Sequence, residues 1–433
     1  MNALAVATAP VAAPAESESG TLGSLAGVRA RGALRGRAAL LGPAFVIAVA
    51  FVDPGNVATN FEAGAATGYR LVWVVVVANV MATLVQYLSA KLGLATGRSL
   101  PELCREHAAP WLVVLLWVQA ELVAMATDLA EFVGAALGLS LLFDMPVRAA
   151  APVTAVIAFG VLAAQRRGCR RFELAIGGLL CLVTAGFAYD LLAAGHQRLA
   201  PMAEGVLPRL PDGSAALLAV GIVGATLMPH VVYLHSALTQ QRVLAADETG
   251  RRLLLRYLRL DCGIGLGLAG LVNVGMLCLA VALFGHGLGS LDAITAAHTD
   301  LRRTVGGGAA LGFAVALLAS GISSASVGTY AGQIVMRGFL RRSIPLTARR
   351  AVTMLPALTV LCLGLPVTRT LLASQVVLSF GIPFALVPLV ALTRSRELMG
   401  AMVNRRVTTL AGAVICLLVT ALNTYLTVTA FEG

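Results

Sequence analysis

The stretch "AVAFVDPGNVATNFEAG", residues 48–64, decides the fold, because an aspartate, a proline, a glycine and an asparagine follow one another inside a segment otherwise apolar enough to enter a bilayer. In hydrocarbon every backbone polar group needs a partner, and Pro54 has no N–H to give. The carbonyl four residues back, that of Ala50, therefore loses its helical donor. Gly55 lowers the cost of leaving helical geometry, and Asp53 and Asn56 add side-chain oxygens on either side of the break. A helix interrupted here gathers three oxygen donors at one depth.

The surrounding chain is that of a membrane protein. Of its 433 residues, 58% are hydrophobic and only 12% charged, against roughly 25% charged in a soluble domain. Apolar runs long enough to cross a bilayer recur from about residue 40 onward. Eleven spans are expected, at 41–66, 71–95, 110–138, 149–165, 173–194, 215–238, 257–284, 309–335, 348–366, 370–393 and 407–430. The net charge of +11 raises the question of a nucleic-acid partner, but its distribution answers otherwise. With the helix ends beside them, the N-terminal arm and the loops after spans 2, 4, 6, 8 and 10 hold 25 of the 32 Lys and Arg, and the opposite loops hold 7. Segments such as "QRRGCRR" and "RGFLRRSIPLTARR" then read as cytoplasmic anchors, with the N-terminus inside and the C-terminus outside. Residues 1–40 read as a disordered cytoplasmic arm. The seven cysteines are scattered singly, with no CxxC pair, and read as small packing residues.

A second break follows the same grammar. In "AVGIVGATLMPHVVYLHSAL" Pro229 frees the carbonyl of Ala225, and Met228 precedes it as Asp53 precedes Pro54. Five spans separate the starts of the two segments, an odd number, so the second unit enters the membrane upside down relative to the first. This is the pattern of an inverted repeat, residues 41–194 and 215–393, whose broken first and sixth helices meet at mid-membrane, with an eleventh helix at 407–430 appended. A lone Asp-Pro is equally a packed kink; a matched pair, one with an intramembrane carboxylate, points to a binding site. The oxygens alone suit Na⁺, Mg²⁺ or Ca²⁺. The Met228 thioether shifts the set toward Mn²⁺, Fe²⁺, Co²⁺ or Cd²⁺.

"DPGN" at 53–56 and "MPH" at 228–230 resemble the paired signatures of the Nramp family of divalent-metal transporters, and "QAELVAMATDLAEF" and "GATLMPHVVYLHSAL" extend the likeness from about Leu40 to the C-terminus. The resemblance implies proton-coupled uptake of Mn²⁺ and Fe²⁺ by alternating access, on the fold shared with many amino-acid and sodium symporters. It carries metal coordination onto Asp53, Asn56, Met228 and the carbonyls of Ala50 and Ala225. Gln375, in "LLASQVVLSFGIPFALVPL", matches a glutamine of span 10 that joins the metal in some states of the family. Eleven spans stand where some members have twelve. The expectation is therefore a multi-pass protein of a bacterial-type inner membrane whose partners are metal ions, protons and lipids, with no cofactor, no nucleic acid and no obligatory protein partner.

Protons need their own route. Glu121, Asp128 and Glu131 of span 3 fall within roughly 80° of one another on the helix surface. Such a stripe must face the interior, with Arg349 and Arg350 at the start of span 9 as counter-charges. By itself it fits a static ion-pair network as well as a conduit; in the resembling family these positions lead protons from the metal toward the cytoplasm. His230 beside the second break titrates near neutrality and suits a relay. His235 fits packing or transport equally, Glu62 a vestibule or a packing bond, while His107, His196, His286 and His298 fall in loops. A sodium-coupled amino-acid symporter would favour unwound backbone and small residues over Asp53 and Met228. A metal-gated channel or sensor makes less of the doubled breaks. No nucleophile and base share a soluble region, which argues against an enzyme.

Overall fold

In the computed structural model the described residues are 42–165, 169–195, 199–209, 213–240, 248–284, 292–342 and 344–432. The expected arm at 1–40 lies outside them, as do His196 and His286. The architecture is helical. Helices α1 (Pro43–Ala50) and α2 (Pro54–Thr67) are the halves of the first broken span, and α3 (Val72–Thr96), the short α4 (Leu100–His107) and α5 (Pro110–Phe143) follow. Then come α6 (Val147–Gln165), α7 (Cys169–Ala193), the short α8 (Leu199–Glu204), and the second broken pair, α9 (Gly213–Leu227) with α10 (Pro229–Thr239). The chain closes with α11 (Glu248–Phe284), α12 (Ala293–Thr304), α13 (Gly307–Leu340), α14 (Leu346–Leu363), α15 (Val367–Arg394), α16 (Arg396–Met399) and α17 (Arg406–Glu432).

Among the described residues eight stretches are long and apolar enough to cross a membrane. The difference from eleven has local causes. Residues 54–96 run on as one stretch, α6 is a shorter apolar helix, and α14, with Arg349 and Arg350 in its first turns, is not among the eight. Burial orders the bundle: 94% of the apolar window of α9 and α10 is buried but only 22% of that of α17, so the second broken helix is central and the last helix peripheral. His107 and His298 lie in the short helices α4 and α12 instead of loops. Cys104, Cys262 and Cys278 are buried as packing residues, whereas Cys181 and Cys362 are exposed.

Both breaks occur where proline removes the donor, but they differ in length. Between α1 and α2, residues 51–53 leave the helix, and Asp53 adopts an extended backbone (φ −76°, ψ 169°) that caps α2. Between α9 and α10 only Met228 departs, at φ 5° and ψ 100°. Neighbouring helices satisfy the longer gap: Asn273 of α11 donates to the Phe51 carbonyl at 3.0 Å and Ser320 of α13 to the Val52 carbonyl at 2.6 Å. At the other end of α1, the carboxylate of Asp261, on α11, accepts the backbone N–H groups of Gly42 (3.0 Å) and Ala44 (2.9 Å), capping the half-helix from outside its own sequence.

Candidate metal site

Asp53 lies where α2 begins, its Oδ1 accepting the Asn56 backbone N–H at 2.8 Å. The same oxygen accepts the Asn56 side-chain Nδ2 at 2.7 Å, and Nδ2 also donates to the Ala225 carbonyl at 3.0 Å. One amide thus ties the first break to the second. Those two acceptors orient the amide with its nitrogen toward the carboxylate, and Thr226 Oγ1, whose proton goes to the Ile222 carbonyl at 2.7 Å, lies 3.5 Å from Asn56 Oδ1. The other Asp53 oxygen, Oδ2, is buried without a hydrogen-bond partner. Ala50 and Met228 flank the breaks, and they, Asp53 and Asn56 are each 1% exposed.

Gln375 of α15 completes the cluster. A methyl group on Gly55 would overlap the Gln375 amide, and one on Gly224 of α9 would overlap its backbone carbonyl. Two glycines, one from each broken helix, therefore admit Gln375 between the breaks. Its Nε2 donates to Ser374 at 3.0 Å, and its Oε1 is buried without a partner. Two orphaned oxygens, Asp53 Oδ2 and Gln375 Oε1, sit in the same region; such groups are costly unless something cationic or protic meets them. Among the described residues no group of three or more His, Cys, Asp and Glu is placed to hold a metal. A site here rests instead on one carboxylate, amide and backbone oxygens, and one thioether.

The acidic stripe of α5 faces α14. Arg349 grips Glu121 with both terminal guanidinium nitrogens, at 3.1 and 2.7 Å. Arg350, 3% exposed, reaches Asp128 at 3.2 Å and also donates to Thr329 (2.8 Å) and the Ala325 carbonyl (3.2 Å). Glu131, 1% exposed, has one oxygen without a partner and lines, with Arg350, a small cavity of about 20 Å³ between α5, α6, α13 and α14. That is room for about one water.

His230 touches the same helix: its Nδ1 lies 3.2 Å from Thr127 Oγ1. That hydroxyl also lies 3.0 Å from the Val123 carbonyl, to which it can donate. The buried Nε2 has no hydrogen-bond partner. His235 Nδ1 lies 3.1 Å from Gln86 Oε1 of α3, and its Nε2 is buried without a partner. Glu62 accepts the backbone N–H of Ala293, at the start of α12.

Sequence reasoning passed over Thr127, Thr226, Asn273 and Ser320, the side chains that hold the site's atoms in place. A signal existed, since each is polar within an apolar run. It is ambiguous because Thr127 and Thr226 also bond the carbonyl four residues back in their own helices. Asp190 of α7 was likewise missed; it is 0% exposed, with neither carboxylate oxygen hydrogen-bonded.

Fold and site together define a multi-pass helical membrane protein with a closed polar centre where two helices break. The chain belongs to the Nramp family: the family model described as "Natural resistance-associated macrophage protein-like" matches residues 44–429. It is 50% identical over 388 residues to the divalent metal cation transporter MntH of Chromohalobacter salexigens, covering 89% of this chain and 90% of that one. The MntH of Deinococcus radiodurans is also 50% identical, over 378 residues, with 87% and 86% covered. Among solved structures, the Eremococcus coleocola manganese transporter superposes with a TM-score of 0.81 at 31% identity, over 90% of this chain and 86% of that one.

Proposed function

We propose that the chain is a secondary active importer of divalent transition metals, Mn²⁺ and Fe²⁺ foremost, with Co²⁺ and Cd²⁺ in the same class, driven by protons through alternating access. The observation that carries this reading is the single amide of Asn56, which bonds both Asp53 and Ala225 and so joins the two broken helices at one buried point. The transporter names of the relatives support it. Turning the Asn56 amide over exchanges a donor for an acceptor and presents Oδ1 to a cation beside Asp53 and the Ala225 carbonyl. The Ala50 carbonyl, Met228 and Gln375 are the remaining donors in this reading. Residues 41–194 and 215–393 are the inverted halves that rock about the centre, and 407–430 is an added helix. The basic loops set the N-terminus in the cytoplasm and the C-terminus outside, in a bacterial-type inner membrane.

Protons take a second path in this reading. Asp53 and His230 stand at its upper end, and Asp128, Glu131 and Glu121 lead on from them, with Arg349 and Arg350 setting the local field. The cavity beside Glu131 and the buried, unpartnered Nε2 of His230 support it. The test is uptake of Mn²⁺, Fe²⁺ and Ca²⁺ into proteoliposomes with internal pH recorded and membrane potential clamped. Mn²⁺ entry should acidify the lumen, and Asp53→Asn should abolish uptake, because the proposed shell would lose its one formal negative charge. Wild-type uptake by Asp53→Asn would remove the site assignment; Mn²⁺ uptake without acidification would remove the proton coupling alone.

A further inference from the structure

We propose that the surface where α3 meets α11 holds a binding site for the phosphate of an anionic phospholipid, built on Lys91, Arg259 and the ring of Tyr87. The observations are independent of the metal site. Lys91 Nζ lies 5.6 Å from the centroid of the Tyr87 ring, and Arg259 Cζ lies 5.5 Å from the same centroid. Arg259 Nε also donates to the Tyr87 hydroxyl at 3.2 Å. Lys91 is 4% exposed, and its hydrogen-bond partner is the neutral amide oxygen of Asn404. Among the described residues neither cation has a carboxylate within ion-pair distance. Two like charges thus converge on one phenol with no acid between them.

A buried cation is normally matched by an anion, because desolvating it costs several kcal/mol. The ring attracts both cations but carries no net charge. An ammonium has three N–H donors and a guanidinium five, and the bonds to Asn404 and Tyr87 use one of each. A phosphodiester supplies what is missing: one negative charge and oxygens that accept from both groups.

The surroundings select a lipid over a soluble phosphate. Val77 and Val80 on α3, and Leu260, Ile264 and Leu271 on α11, are exposed large apolar side chains on the two helices that carry the cations. They offer acyl chains a lipid-facing wall. Toward the start of α11, Arg252, Arg256 and Arg259 recur at i, i+4 and i+7 and form one basic stripe. An apolar wall bordered by cations is the arrangement that an anionic headgroup with its tails matches.

Native mass spectrometry of the full-length protein, titrated with phosphatidylglycerol, phosphatidylcholine or inorganic phosphate, tests the proposal. Phosphatidylglycerol should be retained to higher collision energy than phosphatidylcholine. Arg259→Gln, an exposed change compatible with folding, should lower phosphatidylglycerol occupancy about tenfold, the loss of one charge-assisted hydrogen bond. Lys91→Gln should do the same where it folds, and Arg369→Gln, on α15, should leave occupancy unchanged. Equal retention of the two lipids, or occupancy unmoved by Arg259→Gln, overturns the proposal. Saturation by inorganic phosphate that displaces the lipid overturns the lipid as the occupant.

Discussion

Asn56 and Met228 divide the work expected of the site. Asn56 is placed by geometry, since its amide nitrogen is held by Asp53 and Ala225 at once. Met228 is placed by chemistry: every other proposed donor is a hard oxygen, and oxygens alone bind Ca²⁺ or Mg²⁺ about as readily as Mn²⁺. Met228→Ala should therefore leave some Mn²⁺ uptake while Cd²⁺ uptake falls furthest, and Ca²⁺ and Mg²⁺ should begin to compete. A tenfold change in relative selectivity, about 1.4 kcal/mol, is within reach of one thioether. Competition by Ca²⁺ and Mg²⁺ against Mn²⁺ uptake in both forms decides it. Unchanged competition, with all rates scaled down together, would make Met228 a packing residue.

At the scale of elements, the two breaks were legible because a proline inside an apolar run always removes one donor. Their lengths were not. Three residues leave the helix at the first break because Asn273 and Ser320, from helices more than two hundred residues away in sequence, bond the carbonyls of Phe51 and Val52. The place of Gln375 was hidden for a similar reason, since it depends on Gly55 and Gly224 approaching it together. The acidic stripe and its arginines were legible as two groups, but the pairing of Glu121 with Arg349 and of Asp128 with Arg350 is set by the register of α14 against α5. That pairing has an energetic consequence. Arg350 is 3% exposed, so Asp128→Asn leaves a buried cation short of its counter-charge and should cost about 3 kcal/mol. Arg349 is 6% exposed but the Glu121 side chain is 20% exposed, so water reaches that pair in part and Glu121→Gln should cost less, about 2 kcal/mol. Thermal unfolding midpoints in detergent compare the two. If Asp128→Asn keeps the wild-type midpoint but loses proton-driven uptake, the pair serves proton movement more than packing.

For the whole molecule, the carboxylate of Asp261 acts as a tether whose release can be titrated against a population. Helix α1 is short, ends at a break, and is held at its free end by two hydrogen bonds from its backbone to that carboxylate. It cannot tilt as a rigid rod without exchanging both bonds for water. Charge-assisted bonds contribute about 1.5–3 kcal/mol each, so losing even one should raise the fraction of molecules with α1 displaced about tenfold. Asp261→Ala should accordingly speed labelling by a membrane-impermeant thiol reagent of a cysteine at Ala48, which is 0% exposed, in a background lacking the seven native cysteines. An unchanged labelling rate would mean that α1 is held elsewhere. Read as an equilibrium constant in the proposed importer, this one cap should help set how often the buried centre meets solvent from the side of α1, and a weaker tether should trade tight closure for a leakier, faster-exchanging protein.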